Sequence, residues 1–211
     1  MKLEGIKMGV LGDSITEGVG VAEYTNVYHQ RLKRECKMRE VYVDGIGGTR
    51  IAPQHSISEN PRWDLDFLSR INKIDEDCDL ILVFGGTNDY GHGDATIGTS
   101  KDTTEDTFWG ACRILCERLI TRFPKSQIVF MTPLHRVEEV KPNGKVLADY
   151  IEVLQTVLKE YSIPYIDMMA VAGIAPRVAI HQELFMPDGI HPNDAGHERM
   201  AARIKGFLEN L

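Results

Sequence analysis

Five short apolar segments recur along the chain, and the segments between them carry hydrophobic residues spaced by three and four positions. This alternation of strand and helix patterns favours a parallel sheet, because right-handed crossovers bring each strand back beside an earlier one and place helices on both faces. We therefore predict an α/β fold with a five-stranded sheet in the flavodoxin-like order 2-1-3-4-5. The predicted strands are Lys7–Leu11, Val41–Val43, Leu80–Phe84, Ile128–Met131 and Tyr165–Met168.

Helical spacing is clearest in the second half of the chain. It predicts helices over Glu105–Phe123 and Lys145–Tyr161, and a last helix after Asn193, which is a good N-cap residue. Three longer segments without a regular period are predicted as loops at the edges of the sheet, where loops often carry function. These loops are Tyr90–Thr104, His135–Gly144 and Gly173–Pro187.

Length and charge narrow the class of protein. A chain of 211 residues is expected to form one domain, residues 1–211, whose core needs neither disulfides nor a structural metal. The net charge of −7, without a long basic run, argues against nucleic acid or an anionic membrane as a partner. The first residues, MKLEGIKMG, lack the apolar stretch of a signal peptide, so we expect a cytoplasmic protein.

The four cysteines show no paired C-x-x-C spacing. This argues against a zinc site and against a disulfide framework, and it predicts buried free thiols. No metal or cofactor is therefore expected. The cysteines are Cys36, Cys78, Cys112 and Cys116.

Polar motifs follow the first three predicted strands: GDS at Gly12–Ser14, GIGGT at Gly45–Thr49 and GGTND at Gly85–Asp89. In open parallel sheets, ligands bind beyond the carboxyl ends of the strands. The order 2-1-3-4-5 places the first strand between the other two, so Ser14 is expected to lie between Gly48 and Asn88. A serine at a strand-to-helix turn most often only caps the helix, so its role depends on these neighbours.

The neighbours of Ser14 are suited to acyl transfer. A tetrahedral intermediate carries negative charge on an oxygen, which preorganised N–H donors must stabilise. The backbone N–H groups of Ser14 and Gly48 and the side-chain amide of Asn88 can supply three such donors. The glycines of GIGGT are also explained by a tight turn alone, so this motif is weak evidence by itself.

A serine hydroxyl needs a base, and the segment DGIHP near the end of the chain offers one. Asp188 and His191 lie three residues apart on a short loop, so the carboxylate can hold Nδ1 of the imidazole while Nε2 points at Ser14. His197 falls on the inner side of the last helix and is predicted to be a hydrogen-bonded structural residue. The remaining histidines outside motifs are predicted as surface or loop residues: His29, His55 and His181.

With these motifs in this order, the sequence resembles the SGNH, or GDSL, hydrolase family. GDSITEG matches the first block of that family through Ser14, GIGGT the second through Gly48, GGTND the third through Asn88, and DGIHP the fifth through Asp188 and His191. The resemblance implies a three-layer α/β/α sandwich and a metal-free serine esterase. Two departures are isoleucine in place of the usual leucine of GDSL, and Asp44 where many relatives have asparagine.

The expected partner is a small-molecule ester, and the sequence does not define the oligomeric state. Polar and aromatic loop residues favour a short acyl ester, such as an O-acetyl group on carbohydrate, over a long acyl chain. A lysophospholipid or a thioester stays open as an alternative substrate. The residues predicted to contact substrate are Asp13, Arg50, Tyr90, His92, His135 and Arg136.

Two non-catalytic functions compete with the esterase. GDSITEG could cradle an anion at a helix N-terminus in a flavodoxin-like domain, but that function leaves Asn88, Asp188 and His191 unexplained. A catalytically silent sugar-binding member of the family is disfavoured by the complete set of catalytic residue types. The α/β-hydrolases, another enzyme class, are disfavoured because the chain lacks G-x-S-x-G.

Overall fold

The computed structural model describes residues 1–211 and contains a five-stranded parallel sheet. Its strand order is β2-β1-β3-β4-β5, so the predicted order is confirmed. The last strand is shorter than predicted because Asp167 caps a helix that begins at Met168. The strands are β1 (Lys7–Gly12), β2 (Glu40–Gly45), β3 (Leu80–Phe84), β4 (Gln127–Met131) and β5 (Tyr165–Ile166).

Nine α-helices surround or follow these strands. The long helix predicted over Glu105–Phe123 begins only at Phe108, because the Thr107 side chain caps it by accepting a hydrogen bond from the N–H of Gly110. The helices are α1 (Ser14–Glu17), α2 (Tyr28–Glu35), α3 (Phe67–Arg70), α4 (Thr87–His92), α5 (Phe108–Arg122), α6 (Leu147–Glu160), α7 (Met168–Val171), α8 (Ala179–Phe185) and α9 (Asp194–Glu209).

The helices form one layer on each face of the sheet. Side chains of β3 alternate between the layers: Leu80 and Leu82 pack with α2 and α9, whereas Ile81 and Val83 pack with α3, α5 and α6. This period of two along a buried strand follows from the pleat, which points successive side chains to opposite faces. The three-layer α/β/α architecture is therefore confirmed.

Two of the predicted loops contain helical structure. Tyr90–Thr104 begins inside α4, and Gly173–Pro187 contains α8, whereas His135–Gly144 is irregular. Both helices are short, with six and seven residues, so their apolar periodicity is too brief to stand out in the sequence.

All four cysteines are buried free thiols, as predicted. None of the helices combines the length and apolar character needed to cross a bilayer. The cytoplasmic location stays a prediction.

Candidate active site

The turn between β1 and α1 presents Ser14 at the carboxyl end of the sheet. Asp13, and not Ser14, caps α1, because its Oδ1 accepts a hydrogen bond from the N–H of Ile15 at 3.1 Å. The hydroxyl of Ser14 is therefore free of the capping role, and its Oγ lies 2.9 Å from Nε2 of His191.

Asp188 and His191 lie on the loop that leads into α9. Oδ1 of Asp188 accepts hydrogen bonds from the N–H groups of Ile190 (2.8 Å) and His191 (2.7 Å), and Oδ2 lies 2.6 Å from Nδ1 of His191. Partial burial raises the pKa of Asp188, but the hydrogen bonds from His191 and Ile190 outweigh it and hold that pKa below its usual value. An ionised carboxylate keeps the proton on Nδ1, so the lone pair of Nε2 faces the Ser14 hydroxyl.

Three residues that line one cleft, Ser14, Gly48 and Asn88, carry N–H hydrogens that are not used within the protein. Ser14 is the first residue of α1, so its N–H has no partner within the helix, and the N–H of Gly48 has no partner in the protein. The Asn88 side-chain nitrogen donates one hydrogen to the Thr49 carbonyl at 2.9 Å, which fixes the amide and leaves its second hydrogen available.

Gly48 is a position where only glycine fits. Its φ of +77° lies in the left-handed region, and a Cβ there would lie 2.1 Å from Cδ1 of Trp63. The Trp63 ring packs directly against the backbone at Gly48. Any side chain at 48 would therefore displace both the N–H donor and this ring.

Buried polar residues hold the loops beneath the site. Asp89 accepts hydrogen bonds from the N–H groups of Ile51 (3.0 Å) and Ala52 (2.9 Å), which ties the chain after GIGGT to α4. Arg70 pairs with Asp44 at 2.9 Å and also donates to the Gly12 carbonyl and to the Thr49 hydroxyl. Asp44, which stands where many relatives have asparagine, thus supplies the counter-charge of the buried Arg70.

Burial also affects the two aspartates next to the motifs. It raises the pKa of Asp13 to about 7 and that of Asp89 to about 6, although backbone hydrogen bonds to each carboxyl act in the opposite direction. Neither carboxyl lines the cleft above Ser14.

A cleft of about 390 Å³ opens above Ser14. Ten of its thirteen lining residues are glycine, polar or charged, and no three His, Cys, Asp or Glu side chains of the chain converge in a way that could hold a metal ion. The cleft is lined by Ser14, Glu17, Val19, Gly47, Gly48, Arg62, Trp63, Asn88, Gly91, His92, Arg136, Ile190 and His191.

Of the six residues predicted to contact substrate, His92 and Arg136 line the cleft. Asp13 is buried as a helix cap, so its predicted contact with substrate is wrong. Tyr90 is fully buried, and its hydroxyl donates to the Glu138 carbonyl at 3.1 Å, so its predicted contact is also wrong. His135 lies outside the cleft, where its Nδ1 bonds Glu139 at 2.6 Å.

Arg50 is also buried and does not line the cleft, so its predicted contact with substrate is wrong. Its guanidinium donates to Nδ1 of His92, to the Trp63 carbonyl and to Asp64, each at 2.9 Å, and to Ser58 at 3.2 Å. Burial and the Arg50 charge lower the pKa of His92 to about 4, so the ring is neutral and Nε2 carries its proton. Arg50 therefore positions two residues of the cleft wall, His92 and Trp63.

Sequence reasoning missed the apolar Val19 and Ile190 and three further side chains of the cleft: Glu17, Arg62 and Trp63. Glu17 accepts a hydrogen bond from the N–H of Gly47 at 2.7 Å and forms an ion pair with Arg62. Glu17 lies within GDSITEG, so this motif is the signal that points to it. Arg62 and Trp63 belong to a short 3₁₀ segment, Pro61–Asp64, which carries no motif.

The histidines outside the site differ in burial. His197 is buried, and its Nδ1 accepts the N–H of Tyr28 at 3.2 Å, so the structural role predicted for it is confirmed. The prediction for His29 is wrong, because its ring is buried and Nε2 bonds the Thr16 carbonyl at 2.9 Å. His55 is an exposed loop residue, and His181 is half-buried on α8.

Known proteins share this fold over nearly the whole chain. A protein from Lactobacillus plantarum is 28% identical, with 98% of each chain covered and a TM-score of 0.86. A lipase/acylhydrolase from Enterococcus faecalis is 22% identical over 97% of this chain and 96% of its own, with a TM-score of 0.67. An acetyl xylan esterase is 19% identical over 96% of this chain and 100% of its own, with a TM-score of 0.66.

The sequence itself provides the assignment. No curated protein matches it. Residues 10–199 match the model of the GDSL-like lipase/acylhydrolase family, and this match includes the Ser14 turn, Asn88 and the Asp188–His191 loop. The chain therefore belongs to the GDSL-like lipase/acylhydrolase family and is an ester-hydrolysing enzyme.

Proposed function

We propose that this enzyme hydrolyses short acyl esters, with acetyl esters of carbohydrates as the leading class, through Ser14 as nucleophile. The observation that carries the proposal is the continuous hydrogen-bonded chain from Ser14 through His191 to Asp188, with distances of 2.9 and 2.6 Å, at the cleft. A hydroxyl becomes a competent nucleophile when an oriented base takes its proton, and this chain supplies both the base and its orientation.

In the first half-reaction, Oγ of Ser14 attacks the ester carbonyl and its proton passes to Nε2 of His191. Negative charge develops on the former carbonyl oxygen, which accepts hydrogen bonds from the N–H groups of Ser14 and Gly48 and from the amide of Asn88. Asp188 stabilises the imidazolium. The intermediate collapses when the bond to the alcohol breaks, and the alcohol oxygen leaves with the proton from His191.

In the second half-reaction, water replaces the alcohol. His191 takes a proton from the water, whose oxygen attacks the acyl carbonyl, and the same donors again stabilise the tetrahedral intermediate. Breaking the bond to Oγ releases the carboxylic acid, and Nε2 returns the proton to Ser14. The chemistry uses only groups of this chain, the ester and water.

The composition of the cleft supports a short acyl group and a polar alcohol. Only Val19, Trp63 and Ile190 are apolar among its lining residues. A long acyl chain would need an extended apolar groove to remove it from water, at about 0.8 kcal/mol for each buried methylene group. An aromatic ring among hydrogen-bonding side chains suits a hydroxyl-rich alcohol such as a sugar.

Two measurements test the proposal. A fluorophosphonate probe should label the wild type and the matched control Ser100→Ala, whose serine is exposed on a distant loop, but it should not label Ser14→Ala. Nitrophenyl esters with acyl chains of about two to twelve carbons should give the highest kcat/KM at the shortest chains. An optimum at eight carbons or more would replace the acetyl-ester proposal with a lysophospholipase or thioesterase, and labelling that persists in Ser14→Ala would overturn the nucleophile.

A further inference from the structure

Three arginines are buried beneath or beside the cleft, and one of them has no acidic partner. Arg50 pairs with Asp64 and Arg70 pairs with Asp44, each at 2.9 Å. No carboxylate lies within 4.0 Å of the guanidinium of Arg136, although Arg136 is only 8% exposed. A buried charge without a counter-charge is unfavourable for the free protein, which indicates that the partner of Arg136 comes from outside the chain.

The contacts of Arg136 use only one end of its guanidinium. Nη1 donates to the Thr87 carbonyl at 3.2 Å and to the Thr87 hydroxyl at 3.3 Å, and the group lies 5.3 Å from the centre of the Tyr90 ring. Nη2 has no hydrogen-bond partner, and Nε is buried without one. Nη2 is therefore the free, accessible donor of this guanidinium, and it can give a carboxylate oxygen a charge-assisted hydrogen bond.

The position of Arg136 exposes this unpaired charge to substrate. Arg136 lines the same cleft as Ser14, and a Cβ at Gly91 would lie only 3.0 Å from Nη1, so the glycine leaves room for the guanidinium. Arg62, the other arginine of the cleft, is already paired with Glu17.

The acidic groups around Arg136 are occupied elsewhere. Glu138 bonds the Lys141 ammonium at 2.6 Å, Asp13 caps α1, and Asp188 is engaged with His191. Burial lowers the pKa of Arg136, but a guanidinium stays protonated in proteins. The guanidinium of Arg136 therefore has no direct acidic partner at this wall of the cleft.

We propose that Arg136 binds a carboxylate on the alcohol part of the substrate, so that the preferred ester is an O-acetylated sugar acid and not a neutral sugar ester. A single unpaired cation matches a monoanion, which favours a carboxylate over a phosphate dianion. This inference rests on the proposed acetyl-ester function and adds to it the charge of the substrate.

The test compares two substrates that differ only in charge: a mono-O-acetylated methyl glycoside of glucuronic acid, and the same compound with its carboxylate converted to a primary amide. Acetate release should show a kcat/KM at least about tenfold higher for the carboxylate in the wild type, because a charge-assisted pair is lost with the amide. Arg136→Gln should bring this ratio close to one, and Arg136→Lys should restore part of it. The matched control Arg62→Gln should keep the ratio.

Inhibition of the wild type tests the inference without depending on the folding of any variant. In the wild type, the methyl glycoside of glucuronic acid should inhibit nitrophenyl acetate hydrolysis more strongly than its amide does, and the difference should shrink as salt concentration rises. Equal kcat/KM values or equal inhibition by the two compounds would overturn the inference, as would a stronger preference for an acetylated sugar phosphate. The proposed function fails separately, if nitrophenyl acetate is not hydrolysed in a Ser14-dependent way.

Discussion

The polar residues that line the cleft differ from the polar residues buried beneath it in how their hydrogen-bonding groups are used. At the cleft, His191 is partly exposed and its two ring nitrogens face Ser14 and Asp188. Beneath the cleft, Arg70 donates to Asp44 and to several further oxygens and has no free face. Polar groups at the cleft are thus held in place and stay accessible to a substrate. Polar groups below the cleft use their hydrogen bonds to hold the loops together.

This difference teaches how the two regions should respond to substitution. Removing a cleft residue should lower the rate and leave the free energy of unfolding nearly unchanged. Removing a residue of the buried polar layer should lower the free energy of unfolding, and any loss of rate should follow from lost folded protein.

Ser14→Ala should produce the largest effect. Without the nucleophile, kcat should fall by at least about 10⁴-fold, while the unfolding midpoint stays close to that of the wild type, because Asp13 and not Ser14 caps α1. Rates of ester hydrolysis and thermal unfolding of the purified variant check both parts. Turnover within tenfold of the wild type would break the distinction between the two regions.

Arg70→Met should show the opposite pattern. It leaves Asp44 as an unpaired buried carboxylate, so the free energy of unfolding should fall by about 3–5 kcal/mol. The matched control is Arg34→Met, whose exposed side chain should change that free energy by less than about 0.5 kcal/mol. Urea unfolding measures both variants, and equal stabilities would contradict the structural role of Arg70.

Asn88→Ala should have an intermediate effect confined to the rate. Loss of one oxyanion donor should lower kcat by about 100-fold with little change in KM, since the donor acts mainly in the transition state. Steady-state kinetics on nitrophenyl acetate separate the two constants. If KM alone rises, Asn88 binds substrate and does not stabilise the oxyanion.

The smallest effect concerns pH and the two buried histidines. Burial lowers the pKa of His29 to about 4 and that of His197 to about 3, so both rings should stay neutral from pH 5 to 8. Their ring-proton NMR shifts should not change over that range. As the control, the histidines of the urea-unfolded chain should titrate at about pH 6.5. Titration of either ring between pH 5 and 8 would show that water reaches the buried histidines.

The two buried histidines and the two buried aspartates beside the motifs, Asp13 and Asp89, have opposing effects on how stability depends on pH. His29 and His197 stabilise the fold above about pH 6.5, and that contribution is lost as the pH falls toward their folded pKa values. The raised pKa values of Asp13 and Asp89 act the other way: their contribution is present below about pH 4 and is lost as the pH rises toward 7. Signals of individual residues are therefore more informative than the overall stability curve.

The sheet order, and the positions of Ser14, Asn88 and His191 at its carboxyl edge, follow from patterns that are local in sequence. Strand periodicity and short motifs depend only on residues that are close to one another in the sequence. The cleft wall does not follow in this way, because Trp63 lies in a segment without motif or period. Its place is set by a hydrogen bond from Arg50, which lies 13 residues earlier in the sequence. The predictions for Tyr90 and His29 are wrong because both side chains are buried and their polar atoms bond backbone carbonyl oxygens.

The hydrogen bond between Ser14 and His191 joins residues 177 positions apart, near the two ends of the chain. The Ser14 turn follows β1, but His191 lies on the loop that leads into α9, and α9 packs against α2. If Ser14 and His191 act together as proposed, hydrolysis requires that the Asp188–His191 loop has already reached the Ser14 turn. Appearance of activity during refolding then marks the arrival of this loop.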